Sequence, residues 1–323
     1  MSHRPRSHRL SNARATGALL LFATVAGAGC GADFDPYDRL TSLRVLAVKS
    51  DPVAPAPGET TTLSALVYTP PPADAATPAP TVGYDWSWCP FAGTANDGYP
   101  CLVTEDQLQM LSGVPVSFSL GSAPTAMFTH AFPPELLKAI CLGMPGLPPP
   151  PNCQDGFPVT IKLVVHTDTD SVTAIRTLKL LEAPAPEPNT NPTMGGLFVT
   201  VAGMDTPLDA TVMLHRRADN ALKASVTVDA AEVYQGLDDN GNPATLTERL
   251  FVSWFVETGT LKHARTGYNA TTTSPFADLL TNVWVPERAQ VFPPSTAQLI
   301  VVLRDSRDGV AWTSAIAGLE PAP

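Results

Sequence analysis

Apolar and polar residues alternate in short runs along most of this chain. LRVLAVKS (residues 43–50) and TTTLSALVY (60–68) flank a proline–glycine turn, DPVAPAPGE. YDWSWC (84–89) places Tyr84, Trp86 and Trp88 on one strand face and Asp85, Ser87 and Cys89 on the other, because successive strand side chains point to opposite sides. VTIKLVVHTDTDSVTAIRTLKL (159–180) reads as a hairpin turning at 168–171. LFVTVAG (197–203), ALKASVTV (221–228), RLFVSWFVETG (249–259), TNVWVP (281–286) and AQLIVVLRDSRDGVAWTSAIAGL (297–319) keep the same habit. Runs of this length, rich in β-branched residues and bounded by turn residues, predict a mainly β protein built from antiparallel β-sandwiches.

Two segments depart from the period of two. Thr104-Glu105-Asp106-Gln107 has capping-box spacing ahead of Leu108, Met110 and Leu111, with Gly113 as the stop. PPELLKAICLG (133–143) opens on proline and closes on glycine, the end residues a helix prefers. Each predicted helix lies beside a cysteine, Cys101 or Cys141.

Proline marks the joints. TPPPADAATPAP (69–80), MPGLPPPP (144–151) and APAPEPNTNP (183–192) cannot sit inside helices or central strands. The first two read as surface loops and the third as a stiff linker between two strand-bearing segments. The expected organisation is a first sandwich at 41–182 with a helical insertion at about 100–153, a linker at 183–194, a second sandwich at 195–319 and a tail at 320–323. In the second segment Leu250, Val252, Trp254 and Val256 share one strand face; Phe251, Ser253 and Phe255 share the other. That second face is too apolar to be wholly wet, so a loop, the linker or the neighbouring domain should cover part of it.

The N-terminus changes the picture. Arg4, Arg6, Arg9 and Arg14 precede an uncharged run from Gly17 to Ala28 that ends in small residues, the order of a secretory signal. The run is too short to span a bilayer as a helix. Gly27-Ala28-Gly29-Cys30 resembles the lipobox of bacterial lipoproteins, in which the cysteine is acylated and becomes the first mature residue. The resemblance implies a signal at 1–29, a lipid on Cys30 and a tether at 30–40 reaching the membrane. Ala26-Gly27-Ala28 also fits ordinary cleavage, which would leave a soluble secreted chain.

Setting Cys30 aside leaves Cys89, Cys101, Cys141 and Cys153, an even set in an exported chain. Three connectivities exist. The local pairs are favoured because each would close an irregular loop, a gain of about 3 kcal/mol apiece. No C-x-x-C occurs and no histidine lies near either pair, which argues against zinc.

Losing the four signal arginines leaves sixteen basic against thirty acidic residues, a mature net charge of −14. Such a surface repels nucleic acid, so no nucleic-acid partner is expected.

No hydrolase elbow, zinc-protease helix or phosphate loop is present, and no cofactor is expected. His130, His166, His215 and His263 each stand alone. A hydrolase site assembled from distant residues is the alternative, though nothing marks a serine as activated. Asp238, Asp239, Asn240 and Asn242 offer oxygens for calcium, but their spacing is not that of a calcium loop, and Asn-Gly is a preferred tight turn. Tyr84, Trp86 and Trp88 could stack a sugar if exposed; burial in the sandwich core is the competing expectation.

Early strands, a tryptophan-bearing strand (Trp86/Trp88, then Trp254) and a closing hairpin occur in this order twice. A shift of 138 residues lays Val164, Asp170 and Val172 on Val302, Asp308 and Val310. The pattern resembles immunoglobulin-like sandwich domains, and the whole chain resembles bacterial cell-envelope lipoproteins with tandem domains of this kind. That resemblance implies an envelope location and a non-enzymatic binding or structural role, with an envelope protein or a glycan as partner.

Overall fold

Every second residue of the strand Phe157–His166 is buried, from Phe157 through Val159, Ile161 and Leu163 to Val165. This is the period of a strand with one face in a core. The computed structural model describes residues 36–72, 77–148, 153, 155–185, 188–238, 240–271, 275–287 and 295–321. The segment expected to be a signal, the lipobox-like stretch with Cys30 and the candidate calcium ligand Asp239 lie outside these residues.

The first sandwich runs through β1 (Arg44–Asp51), β2 (Thr60–Tyr68), β3 (Gly83–Cys89), α1 (Glu105–Ser112), β4 (Ser119–Gly121), β5 (Thr125–Thr129), α2 (Pro134–Leu142), β6 (Phe157–His166) and β7 (Ser171–Leu180). One sheet has the order β1-β2-β5 and the other β4-β3-β6-β7. The predicted capping box forms: Gln107 N donates to Thr104 Oγ1 at 3.2 Å, and Thr104 N donates to Gln107 Oε1 at 2.8 Å. Gly113 ends α1 at φ 71°, a left-handed position that suits glycine. The segment predicted as a helical insertion is not continuous. β5, whose Ala126 and Phe128 are buried, returns between the helices to pair with β2, so part of that segment belongs to the sandwich itself.

The second sandwich runs through β8 (Leu197–Val201), β9 (Met204–Pro207), β10 (Met213–Leu214), β11 (Asn220–Ala224), β12 (Val233–Leu237), β13 (Pro243–Thr247), β14 (Leu250–Val256), β15 (Thr260–Leu261), β16 (Arg265–Tyr268), α3 (Phe276–Leu280), β17 (Thr281–Val285), β18 (Thr296–Asp305) and β19 (Val310–Leu319). Its sheets have the orders β15-β17-β11-β8-β9 and β10-β19-β18-β14-β16. In both domains the tryptophan strand, β3 or β14, pairs with the first strand of the closing hairpin, β6 or β18. This is the strand C–F–G arrangement of an immunoglobulin-like sandwich with its buried strand-C tryptophan. The expectation of purely antiparallel sheets needs one correction: β10 runs parallel to β19, pairing Met213 with Gly318. Another feature lacked a strand signal in the sequence. β12 and β13 form a separate two-stranded hairpin between β11 and β14.

Each sandwich has its own core, one around Trp86, Trp88 and Leu163, the other around Trp254, Trp284 and Leu299. A third cluster joins Leu46, Ala47 and Tyr68 of β1 and β2 to Phe255, Ile300, Val302 and Val310 of β14, β18 and β19. The neighbouring domain thus covers much of the apolar face expected to need a cover: Phe255 is 1% exposed, while Phe251, nearer the strand start, remains 44% exposed. The predicted tether also ends earlier than expected. Leu40 is buried in this joint, and its N–H donates to Val256 O at 2.8 Å.

Arginines seal the joint. Arg304 of β18 donates to Leu46 O at 2.7 Å, and Arg176 of β7 donates to Val48 O at 2.9 Å and to Ser50 Oγ at 2.8 Å. β1 is an edge strand, so these carbonyls would otherwise lack a partner. Asn191 of the linker donates to Ser50 O and accepts from Val310 N, both at 2.9 Å, tying one sandwich to the other.

Candidate functional site

Trp86 and Trp88 are buried, 2% and 5% exposed, so the stacking platform considered with Tyr84 does not form. Their indole N–H groups donate to Ala123 O and Ser117 O, and Trp88 packs edge-on against Phe118 and Phe128 at 5.4 and 5.1 Å. Core packing explains the alternation: three aromatic rings in one strand contribute more as buried area than as wet surface.

The aspartate-rich turn is also structural. Asp238 Oδ1 accepts from Asn240 N at 2.9 Å and from Asn242 N at 2.8 Å, closing the β12–β13 turn. These bonds hold the Asp238 carboxyl below its ordinary range. Among the described residues no cluster of three metal-ligating side chains occurs.

His130 is fully buried, and both ring nitrogens are engaged. Nε2 faces Leu181 O at 2.9 Å and Nδ1 accepts from Phe132 N at 3.3 Å. These contacts fit the neutral tautomer with its proton on Nε2. Burial lowers its pKa, so the ring serves packing. His166 pairs with Asp85 at 3.4 Å and His215 with Glu320 at 2.6 Å, both at the surface.

Two disulfides close the first domain's loops, Cys89–Cys101 after β3 and Cys141–Cys153 after α2. Such bonds belong to an oxidising compartment, outside the cytosol or in the envelope. Among the described residues no helix is long and apolar enough to cross a membrane.

The second bridge borders the site that the structure builds. A cleft of about 650 Å³ opens between the sandwiches. Cys153, Asp155, Lys179 and Glu182 line it from the first domain; Tyr234 to Leu237, Leu246 and Arg307 line it from the second, beside linker residues such as Pro184. Its size and interdomain position suit a ligand site. Lys179 sits between Asp155 at 3.4 Å and Asp308 at 3.5 Å. Arg307 lies 4.5 Å over the Tyr234 ring and reaches Glu232 and Glu248, each at 3.6 Å. Glu248, at the hairpin base, is fully buried; Oε2 accepts from Glu232 N at 3.3 Å while Oε1 has no hydrogen bond. Burial, then the nearby Asp305 and Glu232 charges, push its pKa up to about 7.

Sequence reasoning missed this site because the hairpin carried no strand pattern strong enough to read. Tyr234 and Gly236 alternate with Val233, Gln235 and Leu237, but the run is short and broken by glycine. The one available signal is the Asn-Gly turn between two short runs, which marks a turn without marking its strands.

These features define a pair of immunoglobulin-like sandwiches locked edge to face, with a cleft beside the linker. Neither a protein-family model nor a curated protein matches the sequence. Among solved structures, a chimeric titin Z1Z2-Z1Z2 tandem is similar at 13% identity and a TM-score of 0.24, over 86% of this chain and all of that one. The D00-D0 domain of intimin is similar at 10% identity and a TM-score of 0.21, over 87% and 99% of the two chains. The Bacteroides ovatus mixed-linkage glucan utilization locus protein SGBP-B, in complex with a mixed-linkage heptasaccharide, is similar at 11% identity and a TM-score of 0.19, over 88% and 48%. Scores of this size leave the fold assignment resting on the strand orders described above.

Proposed function

We propose that this chain is an exported, non-enzymatic envelope protein, tethered through a lipid on Cys30, whose two sandwiches form one binding module. The observation that carries the reading is the sealed joint. Phe255, Ile300 and Val302 are buried against the first domain, and Arg304 and Asn191 bond across it. A joint built this way holds a cleft at fixed width, which suits recognition. Lys179, Arg307 and Glu248, near the cleft, are occupied in structural bonds rather than arranged as an acid, a base and a nucleophile. The bridges at Cys89–Cys101 and Cys141–Cys153 support export.

The test is the intact mass of the mature protein, taken from the membrane fraction with and without reductant. The expected species begins at an acylated Cys30 and gains four hydrogens on reduction, two for each bridge. C30A should move the protein to the soluble fraction. A soluble, unacylated chain beginning at Gly29 would overturn the anchoring.

A further inference from the structure

We propose that the free edge of β12 binds an extended peptide in the cleft, by adding it as a third strand to the β12–β13 hairpin. The proposal rests on the binding-module reading and names the ligand of its cleft.

The register of the hairpin fixes which backbone groups are available. Glu248 N donates to Glu232 O at 2.9 Å and Asp238 N to Asn242 O at 2.8 Å, flanking the paired strands. In an antiparallel pair, bonded and non-bonded residue pairs alternate. Glu232, Tyr234, Gly236 and Asp238 therefore turn their backbone groups toward β13, and Val233, Gln235 and Leu237 turn theirs outward. That outward edge has no strand partner among the described residues. Gln235 and Leu237, whose backbone groups point outward, are among the residues that line the cleft, together with Tyr234, Gly236 and Leu246.

The other edge of the same hairpin is guarded. Pro243 of β13 pairs with Leu237 at a non-bonded position, so its nitrogen, without a proton, points outward. β12 carries no proline, lysine or other charge that would discourage strand addition. An unguarded edge enclosed in a cleft is the arrangement that strand-adding recognition uses, with main-chain bonds for affinity and neighbouring side chains for selection.

The surroundings favour a peptide over a sugar. The Tyr234 ring lies over Gly236, where a Cβ would come within 2.9 Å of Tyr234 Cε2, and carries the Arg307 guanidinium, so it is poorly placed as a stacking surface. The Glu182 carboxylate borders the cleft without a partner among the described residues, whereas Lys179 and Arg307 are paired. The peptide should therefore carry a lysine or arginine opposite Glu182.

The test is fluorescence anisotropy on the full mature protein. The probe is a labelled octapeptide of alternating valine and threonine with one central lysine. Q235P removes one outward N–H without touching the β12–β13 ladder, and Q235A keeps it; both lose the Gln235–Thr245 side-chain bond. Q235P should weaken binding at least about tenfold and Q235A less than about threefold. An octapeptide N-methylated at every residue, with no N–H left on either edge, should also lose at least about tenfold, on unaltered protein, which keeps the test valid if Q235P folds poorly. E182K should reverse the preference between the lysine probe and its glutamate counterpart. Equal binding of the methylated and plain probes would overturn the proposal. So would saturable binding of a β-glucan hexasaccharide with none of the peptide. Anchoring at Cys30 is read by mass, so failure here leaves that reading standing.

Discussion

Glu248 should make the folded protein less stable as pH rises from about 4.5 to neutrality. The carboxyl is fully buried at the base of the β12–β13 hairpin, with Oε1 lacking a hydrogen bond and Arg307 at 3.6 Å, too far to compensate its lost hydration. In the folded chain its pKa is about 7, against 4.5 for an ordinary glutamate. The unfolded chain therefore releases this proton near 4.5 and the folded chain holds it until about 7. Stability from this group is fully present below 4.5 and falls by about 1.4 kcal/mol per pH step up to 7, after which it is flat. The whole loss is on the order of 3 kcal/mol. E248Q keeps the shape and removes the charge, so it should match the wild type to within about 1 kcal/mol at pH 4.5 and exceed it by about 2–3 kcal/mol at pH 8. Burial also raises Asp305, so some slope of the same sign should survive in the mutant. The assay is urea unfolding followed by tryptophan fluorescence at pH steps from 4.5 to 8. Parallel pH profiles for the two proteins, or an E248Q protein less stable at pH 8, would refute the burial argument.

Three further outcomes follow from the packing. F255A removes a ring that is 1% exposed and shared by both domains; it should cost about 3–5 kcal/mol, and a loss under about 1 kcal/mol in the same unfolding assay would mean that the joint is loose. His130 is held neutral by burial, so its contribution is present above 6.5 and is lost as pH falls below that value; H130Q should lessen this acid-side decline in melting temperature between pH 6.5 and 5, and an unchanged decline would count against it. The C141A/C153A double variant opens a twelve-residue loop and should lose about 3 kcal/mol by denaturant unfolding, with faster amide exchange in α2; protection equal to wild type in α2 would show that the bridge does not hold the helix.

How much of this was legible depended on where each signal comes from. Burial on one face of a strand writes a period of two, so β6 and β14 could be read directly. The capping box at Thr104 is local chemistry, four residues long, and needed no tertiary context. The cover over Phe255 could be inferred, because a strand apolar on both faces must be buried on both, but its partner could not be named. β12 has no such constraint. One of its faces is open, its Gly236 interrupts the pattern, and its position is fixed by Arg307 and Glu248, residues that meet only in the folded chain. The same holds for β5, a five-residue strand identified by pairing with β2 rather than by its own sequence.

The treatment of strand edges links the joint to the cleft. An unpaired edge exposes backbone groups that must find partners or invite foreign strands. At β1 the carbonyl of Leu46 is taken by Arg304 from the other domain, and that of Val48 by Arg176, which also donates to Asp308 O across the joint at 2.8 Å, so sealing that edge and fixing the domains together are the same act. At β13 a proline removes the donor. β12 has neither device, and it borders a cleft whose opposite wall is held in place by the arginine-sealed joint. Loosening that joint should therefore reach the β12 edge without touching it. R304M, which leaves Leu46 O without its donor, should weaken the lysine octapeptide severalfold while the hairpin ladder stays intact by amide exchange. Undiminished affinity in that variant, alongside a measurable loss of stability, would separate the cleft from the joint and leave β12 a local site.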